Sequence, residues 1–321
     1  MMRFTGSDPR PYRDESDIAK MCDLLQKGRK AANGTYYVHV GDLNWWLFYP
    51  AWAFDLGQDI WVWDDPTNAE RLLGWALISS SWSTFDVYID PFLRGTPLGE
   101  KMYLWAEERL IEVVQSKGRG WVSQLSEKTK IRTMWIAQDD LVLDERLNLR
   151  GFRRVDEYVC MTRSLMQPLI APVVPQGYVV RHVAGHAEAS ARAAAQYGAF
   201  GSIAEFDHYL KIYQCLMCSP VYTPQLDVVV VAPDGRIGAF CIVWTDSVNQ
   251  VGYFEPVGTH PDFQRMGLGK AVMLEGLRRL QERGMTSASV CTPQDNLPAI
   301  RLYEAAGFGI VNRLGIYETE L

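Results

Sequence analysis

Residues 251–308 constrain the fold of this chain more than any other part of the sequence. An apolar, alternating run at 251–257 predicts a strand, and a turn-rich bridge at 258–263 follows it. A glycine-containing segment at 264–270 then leads into leucines with helical spacing that continue to position 284. A second strand at 287–291 and a second helix from about position 297 complete an alternating strand–helix pattern.

The glycine-containing turn at 264–270 is a candidate anion site. Unpaired N–H groups and the positive end of the helix dipole converge at such a turn, and glycine allows close approach of the backbone. A P-loop would need glycine where Gln264 stands, and serine or threonine where Ala271 stands. A dinucleotide fingerprint would need glycine at Val272. The turn therefore predicts a phosphate site of another kind.

With these alternatives excluded, the stretch resembles the GCN5-related N-acetyltransferase (GNAT) family. The family signature, Gln/Arg-x-x-Gly-x-Gly/Ala, is matched by Gln264, Gly267 and Gly269. Further features of the family surround the signature: Pro261, Asn296, Tyr303 and the ending Ala306-Gly307-Phe308.

The resemblance implies acetyl-CoA as cosubstrate and no metal ion. It places the pyrophosphate on the amides of 265–270 and pairs the pantetheine, like an added strand, with the backbone near Val257 and Thr259. A proline at position 256 fits a ladder that splays open, because proline cannot donate to a closed one. The predicted cofactor-binding residues are Val257, Gly258, Thr259, Gln264, Arg265, Met266, Gly267, Leu268, Gly269, Lys270, Asn296 and Tyr303.

Glu255 and Tyr303 are the predicted catalytic residues. Alternation places Glu255 on the same strand face as Tyr253, and the family often has a carboxylate near this point that removes a proton through water. A solvated or ion-paired strand residue is the open alternative. Tyr303 resembles the family's tyrosine that faces the sulfur of CoA, where a hydrogen bond would stabilise developing negative charge. His260 precedes a proline, and we expect it to stabilise the turn.

The first half of the chain repeats landmarks of the second. The segment 91–100 resembles 261–270, and Gly151-Phe152 resembles Gly307-Phe308. The copies differ at the predicted chemistry: Pro97 replaces a glycine, Glu100 replaces a lysine and Leu147 replaces the tyrosine. A proline lacks an N–H and a carboxylate repels an anion, so the sequence predicts a degenerate first copy.

The repeat predicts two tandem GNAT-like domains of the α/β (α+β) class, each a mixed, mostly antiparallel sheet flanked by helices. The predicted boundaries are a degenerate domain at 1–165, a proline-containing linker at 166–176 and a catalytic domain at 177–321. This two-copy arrangement is also found within the GNAT family.

Composition narrows the possible partners. A net charge of −6 argues against broad nucleic-acid binding. The absence of a long apolar run and of a basic–apolar leader predicts neither a membrane span nor a signal peptide. The six scattered cysteines indicate a reduced, cytoplasmic protein, and the Cys215-x-x-Cys218 pair is expected to be buried on a helix.

The predicted function is transfer of an acetyl group from acetyl-CoA to a primary amine of an unidentified small molecule or peptide. The helices before the CoA motif, with Phe200, Phe206 and Tyr209, are the expected acceptor neighbours. The alternative is a non-catalytic acyl-CoA-binding or interaction module. Oligomeric state and acyl chain preference are left open.

Overall fold

The structure, a computed structural model, describes residues 8–32, 37–48, 55–117, 129–201 and 205–321. The chain divides into two compact units. The first unit comprises Met1–Val38, Ala53–Tyr158 and Asn312–Leu321, as far as these residues are described. The second unit comprises His39–Trp52 and Val159–Val311, with the same restriction.

Both units contain helices and strands. The helices are α1 (Glu15–Ala31), α2 (Val40–Phe48), α3 (Leu56–Asp59), α4 (Pro97–Lys117), α5 (Leu141–Leu149), α6 (Ala189–Phe200), α7 (Phe206–Leu216), α8 (Leu268–Glu282) and α9 (Leu297–Ala305). The strands are β1 (Arg10–Pro11), β2 (Ile60–Asp65), β3 (Asn68–Ser79), β4 (Thr84–Ile89), β5 (Lys130–Ala137), β6 (Arg153–Ser164), β7 (Val179–His182), β8 (Asp227–Val231), β9 (Ile237–Asp246), β10 (Val251–Thr259), β11 (Ser287–Pro293) and β12 (Gly309–Glu320).

The sheet of the second unit runs in the order β6-β11-β10-β9-β8-β7. Neighbours β10–β9, β9–β8 and β8–β7 are antiparallel, whereas β10 and β11 are parallel. Parallel neighbours need a crossover connection, and α8 supplies it between β10 and β11. The glycine-containing turn therefore lies where β10 ends and the crossover helix begins.

Helices cover both faces of this sheet. Val228 and Val230 of β8 pack into the core formed with α8, whereas Val229 points to the other face and packs with Ala195 of α6 and Phe240. Because both faces are covered, β8 and β9 are almost continuously buried.

The first unit has the same kind of sheet, in the order β1-β2-β3-β4-β5-β12. Its strands are antiparallel except for the parallel pair β4–β5, and α4 connects these two. Phe85, Val87 and Ile89 of β4 pack with Met102 and Leu110 of α4. Each unit is thus a mixed, mostly antiparallel sheet flanked by helices, which confirms the predicted fold class.

Two segments pack in a different unit from the one expected from the predicted domain boundaries. Residues of α2, within the predicted domain 1–165, pack in the second unit, and Asn312–Leu321, within the predicted domain 177–321, packs in the first. In the first unit β12 pairs with β5 from Leu314↔Ala137 to Glu320↔Lys130. No local pattern in either segment specifies its distant partner.

The expected burial of Cys215 and Cys218 is wrong, because both are exposed. The buried face of α7 consists of Tyr209, Ile212, Tyr213 and Leu216. These positions follow the i, i+3, i+4, i+7 spacing of one helix face, so Cys215 lies outside it. Cys218 follows the helix end, and its thiol donates a 3.4 Å hydrogen bond to the carbonyl of residue 214.

Candidate active site

Six consecutive amides, those of residues 265–270, have no hydrogen-bond acceptor within the described parts of the chain. Arg265 and Gly267 have φ of 62° and 78°, and the helix begins at Leu268. The left-handed conformation turns successive amides toward one side, as in the anion-binding concavities of other proteins. The dipole of α8 adds positive potential at the same end, so this loop, which we call the phosphate loop, can bind a phosphate group.

Gly269 allows the first turn of α8 to lie directly on β10. A Cβ at this position would come within 2.9 Å of Thr259 Oγ1 and 3.3 Å of Leu302 Cδ2 of α9. Gly267 has open space around it and is required instead for its positive φ. The two signature glycines therefore serve different purposes, one a close contact and one a backbone conformation.

β10 diverges from β11 immediately before the phosphate loop. The parallel ladder extends only from Val251↔Ser287 to Tyr253↔Ser289. On the other side, β10 stays paired with β9, with a register shift between Phe254 and Val257. The backbone groups of 255–259 that face β11 therefore form an unpaired strand edge, to which an extended chain with amide groups can bind.

Glu255 lies at the register shift, with its side chain half-buried. No hydrogen bond to its carboxyl group is present among the described residues. Burial, and secondarily the negative charge of Asp42, raises the pKa of Glu255 to about 8. A carboxyl group with this pKa can take up or release a proton near neutral pH.

Tyr303 lies on α9, buried at 6% exposure, with its ring 6.4 Å from that of Phe308. Burial raises its pKa, and the nearby charges of Glu255 and Cys291 add to the effect. The phenol therefore stays protonated at neutral pH. Its hydroxyl has no hydrogen-bond partner within the described residues, so it is available to donate to a ligand.

Asp42 is a site residue that sequence reasoning missed. It lies on α2, its carboxylate accepts a 2.7 Å hydrogen bond from the amide of His39, and it is 7% exposed. Its charge raises the pKa of both Glu255 and Tyr253. The only signal in the sequence was an isolated acidic residue in the apolar segment 40–48, and nothing there indicated its distant partners.

The other predicted residues have simpler surroundings. Asn296 caps α9, its side-chain oxygen accepting a 3.3 Å hydrogen bond from the amide of Ala299. Gln264 is exposed. His260 Nδ1 accepts a hydrogen bond from the amide of Asp262, so the expectation that it stabilises the turn is confirmed.

Of the expected acceptor neighbours, Phe200 is the most exposed, at 53%. Its ring lies 5.8 Å from that of Phe240, which in turn lies against Gly258 of β10. Tyr209 is buried against Tyr197. Of Phe200, Phe206 and Tyr209, it is therefore Phe200, at the end of α6, that a ligand beside β10 can contact.

In the first unit, the loop before α4 satisfies several of its own amides. Thr96 Oγ1 accepts a 3.2 Å hydrogen bond from the amide of Gly99, and the carbonyl of Thr96 accepts from the amide of Glu100 at 3.0 Å. Pro97 has no amide hydrogen, and the Glu100 carboxylate lies 3.0 Å from Nε of Arg146. The first-unit loop thus has fewer free amide donors than the phosphate loop. It also has a negative charge, Glu100, at the position where the phosphate loop has Lys270.

The counterparts of β10, Tyr303 and Gln264 in the first unit also differ from the second-unit residues. β4 pairs with β3 without a register shift, from Gly74↔Ile89 to Ser79↔Thr84. Leu147, the counterpart of Tyr303, is fully buried in the core. Arg94, the counterpart of Gln264, forms an ion pair with Asp140.

Part of the chain matches a known protein family. Residues 195–308 match the model of a family described as "Acetyltransferase (GNAT) family". The matched range contains the phosphate loop, Glu255 and Tyr303. The predicted resemblance is confirmed, because this part of the chain matches the GNAT family model.

Curated relatives carry a more specific name. The protein "Mycothiol acetyltransferase" of Thermomonospora curvata is 30% identical over 161 residues, which cover 49% of this chain and 53% of that protein. The chain spans about half the length of the curated relatives it matches. Mycothiol synthase is an example of the two-copy type that the sequence resembles.

Two solved structures share the fold over almost the whole chain. A GCN5-related N-acetyltransferase from Sphaerobacter thermophilus has a TM-score of 0.64 at 20% identity, covering 98% of this chain and 95% of the other. A tandem GNAT protein from the clavulanic acid biosynthesis pathway has a TM-score of 0.67 at 16% identity, covering 98% of both. At such identity the likeness bears on the fold alone, and it confirms the tandem GNAT-like architecture.

No helix in the described ranges is long and apolar enough to cross a membrane.

Proposed function

We propose that this chain is an N-acetyltransferase that moves the acetyl group of acetyl-CoA to a primary amine of a small molecule or peptide. One observation carries the proposal: a free carboxyl and a free phenol, on Glu255 and Tyr303, lie beside an unpaired strand edge that leads to six unpaired amides. Acetyl-CoA has a matching order of groups: a thioester for the carboxyl and phenol, an amide-containing arm for the strand edge, and a pyrophosphate for the six amides.

Acetyl-CoA would bind through the backbone more than through side chains. The pyrophosphate would accept hydrogen bonds from the amides of 265–270, and Lys270 adds a positive charge. The pantetheine amides would pair with the free edge at Val257, Gly258 and Thr259, which directs the thioester toward Glu255. We include in the same site Gln264, which precedes the loop, and Asn296, the N-cap of α9.

Glu255 would act as the general base. A primary amine is protonated at neutral pH, because its pKa is about 10.4 in a lysine-like compound, and the ammonium form cannot attack a carbonyl. The raised pKa of Glu255, about 8, brings its basicity closer to that of the amine than an ordinary carboxylate would be. An intervening water can carry the proton to it.

Tyr303 would stabilise the leaving sulfur. As the C–S bond breaks, negative charge grows on sulfur, and a hydrogen bond from a protonated phenol lowers the energy of that state. The upward pKa shift of Tyr303 keeps its hydroxyl in the donor form over the working range. The two residues therefore act on opposite ends of the reaction, one on the nucleophile and the other on the leaving group.

The first unit would have no productive acetyl-CoA site, because Thr96 occupies two of the amides that a phosphate would need and Pro97 lacks a third. The acceptor is assigned only by class. The name of the curated relatives points toward a small molecule, and the exposed ring of Phe200 offers an apolar surface beside the unpaired edge. The scattered cysteines, which form no disulfide among the described residues, favour the cytoplasm.

The test is release of the CoA thiol from acetyl-CoA across a panel of amines, with amine-free mixtures as the blank. Release above the blank with any amine, lost in Glu255→Gln and Tyr303→Phe together, supports the proposal. Tight acetyl-CoA binding without release for every amine would instead favour a non-catalytic acyl-CoA-binding module.

A further inference from the structure

The thiols of Cys160 and Cys291 lie 2.7 Å apart. Both residues belong to the second unit, on the neighbouring strands β6 and β11, and both are partly exposed. Neighbouring strands lie about 4.8 Å apart, within the range of about 4.4–6.8 Å that separates the Cα atoms of bonded cysteines. A disulfide between them therefore requires only a small movement of the two side chains.

Cys291 also lies beside the candidate active site. It is two residues beyond Ser289, the last residue of β11 that pairs with β10, and so stands where the two strands diverge. It is close enough to Tyr253 and Tyr303 for its charge to raise the pKa of both. A covalent change at Cys291 thus takes place next to the group proposed to stabilise the leaving sulfur.

We propose that Cys160 and Cys291 form a redox modification site, where a peroxide-class oxidant produces a reversible disulfide that lowers acetyl transfer. The disulfide itself is independent of any enzymatic activity, whereas its effect on turnover rests on the proposed function. No other pair of thiols among the described residues is in contact.

The reaction balances in two steps. A thiol and hydrogen peroxide give a sulfenic acid and water, and the second thiol then displaces a second water to form the S–S bond. The two sulfurs lose two electrons in total, which peroxide accepts, and a dithiol reductant restores both thiols.

Either thiol of the pair can be oxidised first, because the two sulfurs are in contact. The remaining thiol then attacks the sulfenic acid and closes the disulfide.

Disulfide formation would draw the Cys291 sulfur toward β6 and away from Tyr253 and Tyr303, whose pKa values it influences. Small displacements of groups around reacting atoms reduce rates by about tenfold to a hundredfold. The phosphate loop lies on a different element, so acetyl-CoA binding should change by less than turnover.

The experiment uses the full chain with hydrogen peroxide and then a dithiol reductant. Peptide mapping by mass spectrometry follows the Cys160–Cys291 cross-link, calorimetry follows acetyl-CoA binding, and thiol release is measured after the oxidant is removed. Cys160→Ser should prevent the cross-link and protect turnover, whereas the control Cys215→Ser/Cys218→Ser, which removes the exposed pair, should change neither.

A reversible cross-link with about tenfold lower turnover in the parent, absent in Cys160→Ser, supports the proposal. The proposal would be overturned if Cys160 and Cys291 remained free thiols after a peroxide treatment that oxidises Cys215 and Cys218. This result is measured on the parent protein and does not depend on the folding of a variant. A cross-link that leaves turnover unchanged would overturn the regulatory part. If no amine serves as acceptor, the cross-link is still measured, so failure of the proposed function is seen separately.

Discussion

Nε1 of Trp244 donates a 2.7 Å hydrogen bond to the carbonyl oxygen of Glu255. The bond connects β9 to β10 at the register shift between Phe254 and Val257, where the ladder is interrupted. Gly41 of α2 lies against the same indole, since a Cβ there would come within 2.5 Å of the ring. Trp244 thereby fixes the backbone of the proposed base and forms the contact surface for the helix that carries Asp42.

Gly267→Pro should abolish acetyl-CoA binding measured by titration calorimetry. Proline removes one of the amides of the phosphate loop, and its fixed φ of about −65° is incompatible with the native φ of 78°. Gly95→Pro is the matched control, because Gly95 also has a positive φ, 71°, but lies in the first unit. Equal affinity in a folded Gly267→Pro variant and in the parent would show that the phosphate binds elsewhere.

Tyr303→Phe should lower kcat by about 10²-fold, the usual effect of removing one donor to developing charge. The dissociation constant of acetyl-CoA should stay unchanged, because the hydroxyl matters mainly when sulfur becomes negative. Tyr12→Phe, in the first unit, provides a control of the same chemistry. Parent-like turnover in the variant would remove Tyr303 from the mechanism.

Glu255→Gln should change the pH dependence of kcat/KM. In the parent, the active carboxylate forms as pH rises through about 8, so the rate should rise up to that pH and then level off. The variant lacks this ionisation, and its rate should keep rising toward the pKa of the amine, about 10.4 for a lysine-like acceptor. At neutral pH we expect a loss of about 10²-fold or more. Superimposable profiles would assign the proton to another base or to water.

Asp42→Asn should move the rising limb of that profile to lower pH. Removing the negative charge makes the Glu255 carboxylate easier to form, and burial alone then keeps its pKa above the usual value. Asparagine retains an oxygen that can accept from the amide of His39, so α2 should keep its start. Asp234→Asn, at an exposed position, is the control. If the rising part of the pH profile has the same midpoint in the variant and in the parent, Asp42 does not influence the pKa of Glu255.

Calorimetry should find one tight acetyl-CoA site per chain. The first unit presents Thr96 as an internal cap, lacks an amide hydrogen at Pro97 and holds Glu100 beside the loop. Two sites of comparable affinity would contradict this prediction, as would a single tight site that survives Gly267→Pro. The second result would place the site in the first unit.

Much of the fold was predictable because its signals are local. The alternation of apolar residues at 251–257 predicted β10, and helical spacing with Gly284 beyond it predicted α8. The phosphate loop followed from glycines whose backbone freedom is an intrinsic property, and the structure gives Gly267 the positive φ that only such a residue adopts easily. The same local argument identified Pro97 and Glu100 as defects of the first copy.

Other features depend on contacts between residues far apart in the chain, and a single sequence carries no local signal for them. The charge of Asp42 reaches Glu255 only because α2 packs in the second unit. Cys160 and Cys291 meet only because β6 and β11 are neighbours in the sheet. The sequence alone predicted the strands and helices of 251–308 and a phosphate ligand for the loop between them. The tertiary structure decided which charges and thiols surround that ligand, because burial and proximity exist only after the chain has folded.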